Sequence, residues 1–189
     1  LDQGADVGLA FDGDADRVIA VDERGNLVDG DQMLAIIALD MHERGELEGD
    51  AVVATVMSNL GLRRALVERG IEVVETPVGD RNVLTALEER GLSLGGEQSG
   101  HVIVTDLATT GDGTLTGMLL LDVMARRGRP LSELAAVVEP LPQVLRSVQV
   151  GDGAGLEDDG SFRAELEAVE QELGADGRVL VRPSGTEPV

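Results

Sequence analysis

Short apolar runs and stripes of apolar residues at helical spacing alternate along the chain. Runs with the length and composition of buried strands lie at residues 7–11, 51–55, 71–75 and 92–94. Helices are predicted between the later runs, at residues 61–69 and 81–90. Strands that alternate with crossover helices are typical of an α/β layer architecture, which is the fold class that we expect.

A hairpin and a long helix are predicted near the start of the chain. Residues 17–21 and 27–28 flank the turn-forming segment 22–26, a pattern that indicates a β-hairpin. The residues that follow predict a helix with Asp31 as its N-cap. The apolar face of this helix repeats at helical spacing and consists of Leu34, Ile37, Ala38 and Met41.

The last third of the chain is predicted to contain a linker and a smaller domain. Residues 111–113 open a helix that runs past Met124, and Ser132 is the predicted cap of a short helix after it. Pro140 and Pro142 indicate the linker. The elements predicted beyond it are a strand at 144–150, a loop at 151–160, a helix over 162–173 and a strand at 178–181.

Length and composition indicate a globular protein with room for two domains. The chain has 189 residues, 42% of them hydrophobic, and domains commonly contain about 100 to 150 residues. No apolar run is long enough to cross a bilayer and no signal-peptide pattern is visible, so we expect a cytoplasmic protein without a membrane partner. Because cysteine is absent, a metal ion must be held by oxygen atoms or by the two histidines.

The net charge argues against a nucleic-acid partner. The chain carries a net charge of −21, from 36 acidic residues against 15 basic residues, all of which are arginine. A nucleic-acid backbone requires a broad cationic surface, and two Phe without Tyr or Trp provide no platform for stacked bases. A small anionic substrate remains compatible with this charge, because a few converging arginines reverse the local field.

Residues 12–17, with the sequence Asp-Gly-Asp-Ala-Asp-Arg, are the strongest candidate for a chemical site. Three carboxylates at alternate positions, followed at once by a guanidinium, can hold a hard divalent cation beside a phosphate. The segment follows an apolar strand, and open α/β sheets bind their ligands at strand ends.

Three other interpretations of residues 12–17 compete with a site that binds a divalent cation beside a phosphate. An acidic turn between two strands fits the turn preferences of Asp and Gly. A calcium EF-hand loop requires glycine at its sixth position, where Arg17 stands. A haloacid-dehalogenase-type phosphotransferase would use Asp12 as nucleophile and Asp14 as acid or base, but Asp16 occupies the place where that family usually has Thr or Val.

Three further loops carry polar side chains at predicted strand ends. Residues 95–101 place Glu97, Gln98, Ser99 and His101 between glycines, a set that can recognise vicinal hydroxyl groups. His101 by itself fits a structural role as well as a proton carrier. Residues 76–81 bring Arg81 to a helix start, and residues 182–186 combine a guanidinium with two hydroxyls, a donor set suited to phosphate.

The order and spacing of these loops resemble the α-D-phosphohexomutase family. The resemblance runs from about residue 6 to residue 188 and rests on five motifs, at residues 12–17, 56–61, 96–101, 110–113 and 182–188. It implies multi-domain layers of mixed β-sheets flanked by helices, with a smaller, truncated α+β C-terminal domain. The implied domains are the tail of a second domain at 1–28, a third domain at 29–140 and a truncated fourth domain at 141–189.

The resemblance also implies roles for individual residues. Asp12, Asp14 and Asp16 would hold Mg²⁺, and Arg17 would contact the transferring phosphoryl group. Glu97, Ser99 and Gly100 would bind sugar hydroxyls, with His101 near the path of proton transfer. Asp80 and Arg81 would line the cleft. The residues implied to bind the phosphate that is not reacting are Arg182, Ser184, Gly185 and Thr186.

The family moves phosphate between O6 and O1 of a hexose through a bisphosphate and an enzyme phosphoserine. The serine loop has no counterpart in these 189 residues, so we expect a piece of a longer protein that does not turn over substrate alone. Gln98 and Gly185 favour glucosamine phosphate as substrate, because the glucose and mannose enzymes more often have Met and Asn there. A homodimer of the full-length protein is also expected, and the alternative from another class is a non-catalytic divalent-cation module.

Overall fold

The computed structural model describes residues 4–148, 159–174 and 177–181. Its strands are β1 (Val7–Phe11), β2 (Val18–Asp22), β3 (Leu27–Val28), β4 (Ala51–Thr55), β5 (Glu72–Thr76), β6 (Leu94–Gly96) and β7 (Val102–Val104). Its helices are α1 (Gly30–Arg44), α2 (Leu60–Val67), α3 (Asp80–Arg90), α4 (Gly113–Arg127), α5 (Leu131–Ala135) and α6 (Gly160–Leu173), with a 3₁₀ turn at Glu48–Asp50. Contacts divide the chain into a unit that ends at Leu141 and a second unit from Pro142.

The first sheet is an antiparallel meander in the order β1-β2-β3. Strand β1 pairs with β2 from Val7 with Asp22 to Phe11 with Val18. Strands β2 and β3 pair Ala20 with Val28 and Val21 with Leu27, which confirms the predicted hairpin. The turn between β2 and β3 is closed by the buried carboxylate of Asp22, which accepts hydrogen bonds from the backbone N–H groups of Arg24 (2.9 Å) and Asn26 (2.7 Å).

The second sheet is mixed, with the strand order β5-β4-β6-β7. Strands β5, β4 and β6 run parallel, and β7 pairs antiparallel with β6. This sheet and its flanking helices confirm the predicted α/β class. Because parallel strands share one carboxyl edge, the segments 56–59, 77–79 and 97–101 all leave the sheet on the same side.

Helix α1 lies between the two sheets and is apolar on two faces. Leu34, Ile37 and Ala38 belong to the cluster that packs on the mixed sheet, whereas Met33 and Ile36 pack with β2 and α4. A helix that is buried on opposite faces fixes the distance between the layers on either side of it. The antiparallel meander and the mixed sheet are therefore packed into one unit through α1.

The N-cap of α1 corrects a sequence prediction. The cap is Asp29, which accepts from the N–H of Gln32 at 3.1 Å while the Gln32 side chain accepts from the Asp29 N–H at 3.3 Å. This reciprocal pair is a capping box and satisfies two backbone donors. Asp31 is instead 1% exposed and accepts from the Asn59 N–H at 2.6 Å. The predicted Asp31 cap is therefore wrong, because Asp31 joins α1 to the turn before α2.

Ser132 is also not a helix cap. Helix α5 begins at Leu131 after Pro130, and the fixed φ of proline suits a helix start without a side-chain cap. The Ser132 hydroxyl instead donates to the Glu23 carboxylate, and the Ser132 N–H donates to the same carboxylate at 3.3 Å. Ser132 therefore links α5 to the turn of the meander.

The second unit contains one of the predicted elements. Helix α6 is present and is capped by Asp159, which accepts from the Ser161 N–H at 2.8 Å. The predicted strands at 144–150 and 178–181 are wrong as far as the structure describes them, since residues 144–148 and 178–181 are irregular. A strand requires a paired neighbour, and a period-two pattern by itself does not supply one. Residues 149–150 lie outside the described ranges.

Within the described ranges, no helix has the length and apolar character needed to cross a membrane.

Candidate functional site

The acidic loop, residues 12–17, connects β1 to β2 in a tight turn. Ala15 has a φ of 61°, a left-handed value that is uncommon outside glycine. The turn is closed by the Arg17 N–H, which donates to Asp12 Oδ1 at 3.2 Å. It is also tied to the start of α4, because the Gly113 N–H donates to the Ala15 carbonyl at 2.9 Å. The backbone thus holds the loop in place while its acids point to one centre.

The three carboxylates of the acidic loop converge. Asp12, Asp14 and Asp16 each offer an oxygen within 4.8 Å of the others. Arg17 is the one basic side chain in the loop, and its Nε lies 4.0 Å from both Asp12 Oδ2 and Asp16 Oδ1. At this separation neither contact is a hydrogen bond, and one guanidinium balances only one of the three negative charges. Three negative charges therefore surround a space that one positive charge borders.

The pKa values of two of these acids move in opposite directions. Burial raises the pKa of Asp16, and a hydrogen bond with Asp12 and the charges of Asp12 and Asp14 raise it further. Burial also raises the pKa of Asp12, but the Arg17 N–H and contacts with Asp16 and Asp14 outweigh it and bring the pKa below its usual value. Such a split is expected when neighbouring carboxylates share a proton that a cation could replace.

The donor set of the acidic loop fits Mg²⁺. All three side chains offer carboxylate oxygens, which hard divalent cations prefer. Asp16 Oδ1 is buried and has no hydrogen-bond partner, and a buried acceptor without a partner costs free energy that a cation would recover. The residues present therefore fit a magnesium ion.

The Glu97 loop, residues 96–101, connects β6 to β7. Glu97 is 8% exposed, and its Oε1 accepts from the Gly79 N–H at 2.9 Å while its Oε2 accepts from the Ser99 hydroxyl at 3.3 Å. Glu97 thereby fixes the segment that leads into α3. Ser99 is exposed and presents its hydroxyl at the rim of the loop.

Gln98 has a different environment from its neighbours in the Glu97 loop. Its side-chain amide donates to Asp29 Oδ2 at 3.3 Å, and its carbonyl accepts from the Gly30 N–H at 3.0 Å. Gln98 therefore joins the loop to the capped start of α1. Gln98, which the family resemblance implies to favour a glucosamine substrate, thus lies in a cap network.

His101 lies between the acidic loop and α3. Its side chain is 2% exposed, and its Nε2 lies 3.8 Å from Asp16 Oδ2 and 4.0 Å from Asp80 Oδ2. Gly111 is close to the ring, since a Cβ at this position would overlap with Nε2 and Cδ2 of His101. Only glycine can occupy position 111 without displacing the imidazole.

The acidic loop and the Glu97 loop meet backbone to backbone. Arg17 and His101 form an antiparallel β-bridge, and the Val18 N–H donates to the Gly100 carbonyl at 3.2 Å. Gly100 has a φ of 92°, and a Cβ there would overlap with the Val18 carbonyl. This seam, defined by residues 17–18 and 100–101, brings the two loops together on one side of the unit.

The structure brings most of the predicted site residues of the first unit together. Asp12, Asp14, Asp16, Arg17, Asp80, Glu97, Ser99, Gly100 and His101 belong to the two loops and the adjoining start of α3. Arg81 is exposed on the first turn of α3. The predicted phosphate-binding residues Arg182, Ser184, Gly185 and Thr186 lie outside the described residues.

The sequence predicts a helix start at residues 111–113, but it assigns no role in the site to Gly111 or Asp112. Gly111 packs on the imidazole of His101, and Asp112 caps α4 by accepting from the Leu115 N–H at 2.9 Å. The sequence feature that could have indicated these contributions is the pair Gly111 and Gly113 on either side of Asp112. Glycine allows the backbone to approach another element closely.

Family comparisons agree with this architecture. The fold, in which the acidic loop of the antiparallel meander meets the Glu97 loop at one edge of the mixed sheet, is that of a phosphohexomutase-type α/β protein. A family model described as phosphoglucomutase/phosphomannomutase, alpha/beta/alpha domain III, matches residues 29–141, and the model for the C-terminal domain matches residues 131–189. The chain belongs to the phosphoglucomutase/phosphomannomutase family, which confirms the resemblance to phosphohexomutases.

Individual relatives support the same assignment. A phosphoglucosamine mutase from Salinispora tropica is 59% identical over 189 residues, which cover all of this chain and 42% of that protein. A phosphoglucomutase/phosphomannomutase family protein from Burkholderia thailandensis is 33% identical with a TM-score of 0.65, over 71% of this chain and 29% of that one. The chain thus spans less than half of the curated relative's length.

A more distant structure shares the fold. An N-acetylphosphoglucosamine mutase from Aspergillus fumigatus, in complex with GlcNAc-6P and magnesium, has a TM-score of 0.69 at 22% identity, over 95% of this chain and 46% of that one.

Proposed function

We propose that this chain forms the metal-binding and sugar-binding part of a phosphoglucosamine mutase. The reaction is the transfer of a phosphoryl group between O6 and O1 of glucosamine through a bisphosphate intermediate. The observation that carries the proposal is the seam at residues 17–18 and 100–101, because it places a cation-binding loop beside a hydroxyl-binding loop. Relatives with this name, such as that from Salinispora tropica, match the whole chain.

In this proposal the acidic loop holds Mg²⁺ through Asp12, Asp14 and Asp16. When bound, the ion supplies positive charge against the oxygens of the reacting phosphoryl group. The Arg17 guanidinium is 46% exposed and is not locked by a short hydrogen bond. It is therefore free to move onto a phosphoryl oxygen, where its planar fork fits the anion.

The Glu97 loop orients the sugar. The Gly79 N–H before α3 donates to Glu97 Oε1 and the Ser99 hydroxyl donates to Glu97 Oε2, so the carboxylate is held in a fixed position. The Ser99 oxygen remains able to accept a hydrogen bond from a sugar hydroxyl. Gly100 lets the Val18 backbone pack against the loop, because a Cβ there would overlap with the Val18 carbonyl, and in this proposal Asp80 and Arg81 line the side formed by α3. Fixed donors and acceptors of this kind lower the entropic cost of alignment.

His101 is proposed to hold or pass a proton near the reacting oxygen. Its imidazole is buried and lies beside Asp16 and Asp80, which would stabilise a positive charge on the ring. The distal phosphate is assigned from the sequence to Arg182, Ser184, Gly185 and Thr186. Binding energy at that distal end would orient the end of the sugar that reacts.

The phosphoserine that donates and accepts the phosphoryl group in this reaction is not among these 189 residues. The chain alone is therefore expected to bind Mg²⁺ without turning over glucosamine 6-phosphate. Conversion of that substrate by the pure chain would contradict this part of the proposal.

A chimera tests the proposed activity. The chain replaces the matching segment of the Salinispora tropica phosphoglucosamine mutase, which aligns over all 189 residues. We expect the chimera to convert glucosamine 6-phosphate to glucosamine 1-phosphate in the presence of Mg²⁺. Preference for glucose or mannose phosphates would instead assign the chain to another branch of the family.

Two variants of the chimera separate the site from the fold. Asp14→Asn removes one carboxylate of the acidic loop and should lower kcat by at least about 100-fold, the order seen when electrostatic stabilisation is lost. Asp106→Asn changes an exposed acid after β7 by the same chemistry and should leave kcat unchanged. Equal activity of the two variants would refute the assignment of the acidic loop.

A further inference from the structure

A second group of possible metal ligands lies beside the acidic loop and has a different chemistry. Within the described residues, Asp16, Asp80 and His101 each offer one ligand atom, and these atoms lie within 4.8 Å of one another. The group differs from Asp12, Asp14 and Asp16 because it includes an imidazole nitrogen. It also draws on three separate parts of the unit, namely the acidic loop, the start of α3 and the Glu97 loop.

The imidazole is buried and aimed at the two carboxylates. The His101 side chain is 2% exposed, its Nδ1 has no hydrogen-bond partner, and its Nε2 faces Asp16 Oδ2 at 3.8 Å and Asp80 Oδ2 at 4.0 Å. Neither separation is a hydrogen bond. A buried histidine normally has its polar atoms satisfied. The unpartnered atom is Nδ1, whereas the atom offered to the two carboxylates is Nε2, so the candidate ligand atom is Nε2 and its support is its buried position beside both acids.

The spacing of these atoms suits a tetrahedral metal. Two ligands of a tetrahedral Zn²⁺ with bonds of about 2.1 Å lie about 3.4 Å apart. The His101 nitrogen is 3.8 and 4.0 Å from the carboxylate oxygens, so each of these two pairs reaches the tetrahedral spacing with a movement of about half an ångström. The Asp80 side chain is 61% exposed, which leaves it free to make that movement and leaves room for a water ligand.

We propose that Asp16, Asp80 and His101 form a second divalent-cation site, selective for ions of the Zn²⁺ class. Imidazole is a ligand for Zn²⁺, Co²⁺ and Ni²⁺, whereas Mg²⁺ prefers oxygen ligands alone. In this proposal the acidic loop binds the hard cation Mg²⁺, and the group of Asp16, Asp80 and His101 binds the softer Zn²⁺. Asp16 belongs to both sets. The proposal rests on these distances and this burial, and it does not depend on the mutase activity.

The two histidines of the chain allow a direct test in the 189-residue protein. Nitrogen-15 NMR of the imidazole rings during a ZnCl₂ titration reports metal coordination at each ring nitrogen. We expect the His101 Nε2 resonance to show the large shift of direct coordination on adding Zn²⁺ and only a small electrostatic shift with MgCl₂, which binds the neighbouring Asp16 and not the ring. His42, whose Nδ1 lies 2.8 Å from Asp50 Oδ1 on the surface, is the internal control. An unchanged His101 resonance, or an equal shift of His42, overturns the proposal.

Paired variants give a second readout that does not depend on the His101 signal. Asp80→Asn should raise the Kd for Zn²⁺ at least about tenfold and leave the Kd for Mg²⁺ unchanged. Asp14→Asn should do the reverse, because Asp14 belongs to the acidic loop alone. Both affinities are measured by calorimetry on samples whose circular dichroism matches the parent chain. Loss of Zn²⁺ binding in Asp14→Asn with retention in Asp80→Asn would place Zn²⁺ in the acidic loop and refute a second site.

Discussion

Two clusters of acids and arginines in the first unit contain the same chemical groups in different proportions. In the acidic loop, three carboxylates face one guanidinium at 4.0 Å. Around Asp40, whose carboxylate is 2% exposed, acids and arginines are nearly balanced: Asp40 faces Arg44, Arg126 and Arg127, and these arginines also pair with Glu46, Asp122 and Glu43, respectively. Arg126 donates to both oxygens of Asp40 at 2.7 Å.

The proportion of acid to base decides what each cluster can do. The Asp40 cluster joins α1 to α4 and is neutralised within the fold, so it has no need of a ligand. The acidic loop has excess negative charge and a buried carboxylate oxygen without a partner, so an external cation lowers its free energy. A cluster of charged residues is therefore not by itself a binding site. An excess of one sign of charge that the fold does not neutralise indicates a binding site.

The largest expected effect is the loss of Mg²⁺ binding from the acidic loop. The double substitution Asp12→Asn with Asp14→Asn leaves one carboxylate of three, and we expect Mg²⁺ binding to weaken by about 1,000-fold, equivalent to about 4 kcal/mol. Calorimetric titration measures the change. The matched variant Asp40→Asn should bind Mg²⁺ with the affinity of the parent. An equal loss of Mg²⁺ affinity in Asp40→Asn would contradict the assignment of Mg²⁺ binding to the acidic loop.

Asp40→Asn should instead lower the stability of the fold. The substitution removes the charge from several hydrogen bonds to arginine, and such bonds contribute about 1.5 to 3 kcal/mol. We expect the free energy of unfolding in urea to fall by about that amount. The Asp12 and Asp14 double variant should show no comparable fall, since those acids repel one another. A larger stability loss in the double variant would contradict this account.

The geometry of the Asp40 cluster is tested by Arg126→Lys. Lysine keeps the charge but cannot donate two parallel hydrogen bonds to one carboxylate. We expect a loss of about 1 kcal/mol, close to one net hydrogen bond. Arg17→Lys changes the same chemical group at an exposed site without short contacts, so its unfolding free energy should stay within about 0.5 kcal/mol of the parent. Equal losses in both variants would show that bidentate geometry is unimportant.

The pH dependence of stability gives the smallest expected difference. Burial raises the pKa of Asp40, but hydrogen bonds and charges from Arg126 and Arg44 outweigh it and hold that pKa below the ordinary value of 3.8. A lowered folded-state pKa contributes stability above the unfolded value, and this contribution is lost as the pH falls through the folded pKa. The gap between the parent and Asp40→Asn should therefore be constant near neutral pH and shrink below about pH 4. If the stability difference between the parent and Asp40→Asn grew on acidification, the pKa of Asp40 in the folded state would be raised and not lowered.

Much of the fold could be predicted from the sequence because its signals are local. The apolar runs predicted the bounds of β1, β2, β4 and β5 to within a residue or two. Strand β7 was not predicted, because three residues are too few for periodicity to show. Asp29 was missed as the cap of α1 although Gln32, three residues later, completes a capping box. In the second unit the strand pattern at 178–181 predicted pairing that local sequence cannot guarantee.

The site was only partly accessible from the sequence. The acidic loop and the Glu97 loop have compact motifs, so their members could be named in advance. The position of His101 between Asp16 and Asp80 depends on packing among three segments that are distant in the chain. No spacing rule reports such proximity. The domain boundaries, the homodimer and the cytoplasmic location expected from the sequence stay predictions.

The seam at residues 17–18 and 100–101 also has a consequence for engineering. Peptide groups and glycines form this seam, so the separation of the two loops is set by main-chain atoms and not by the side chains that are proposed to bind the ligand. Residues such as Ser99 and Arg81 can then be exchanged to retune ligand preference while the scaffold keeps its dimensions. A library directed at this protein should therefore vary the exposed loop positions and leave Gly100, Gly111 and Gly113 as they are.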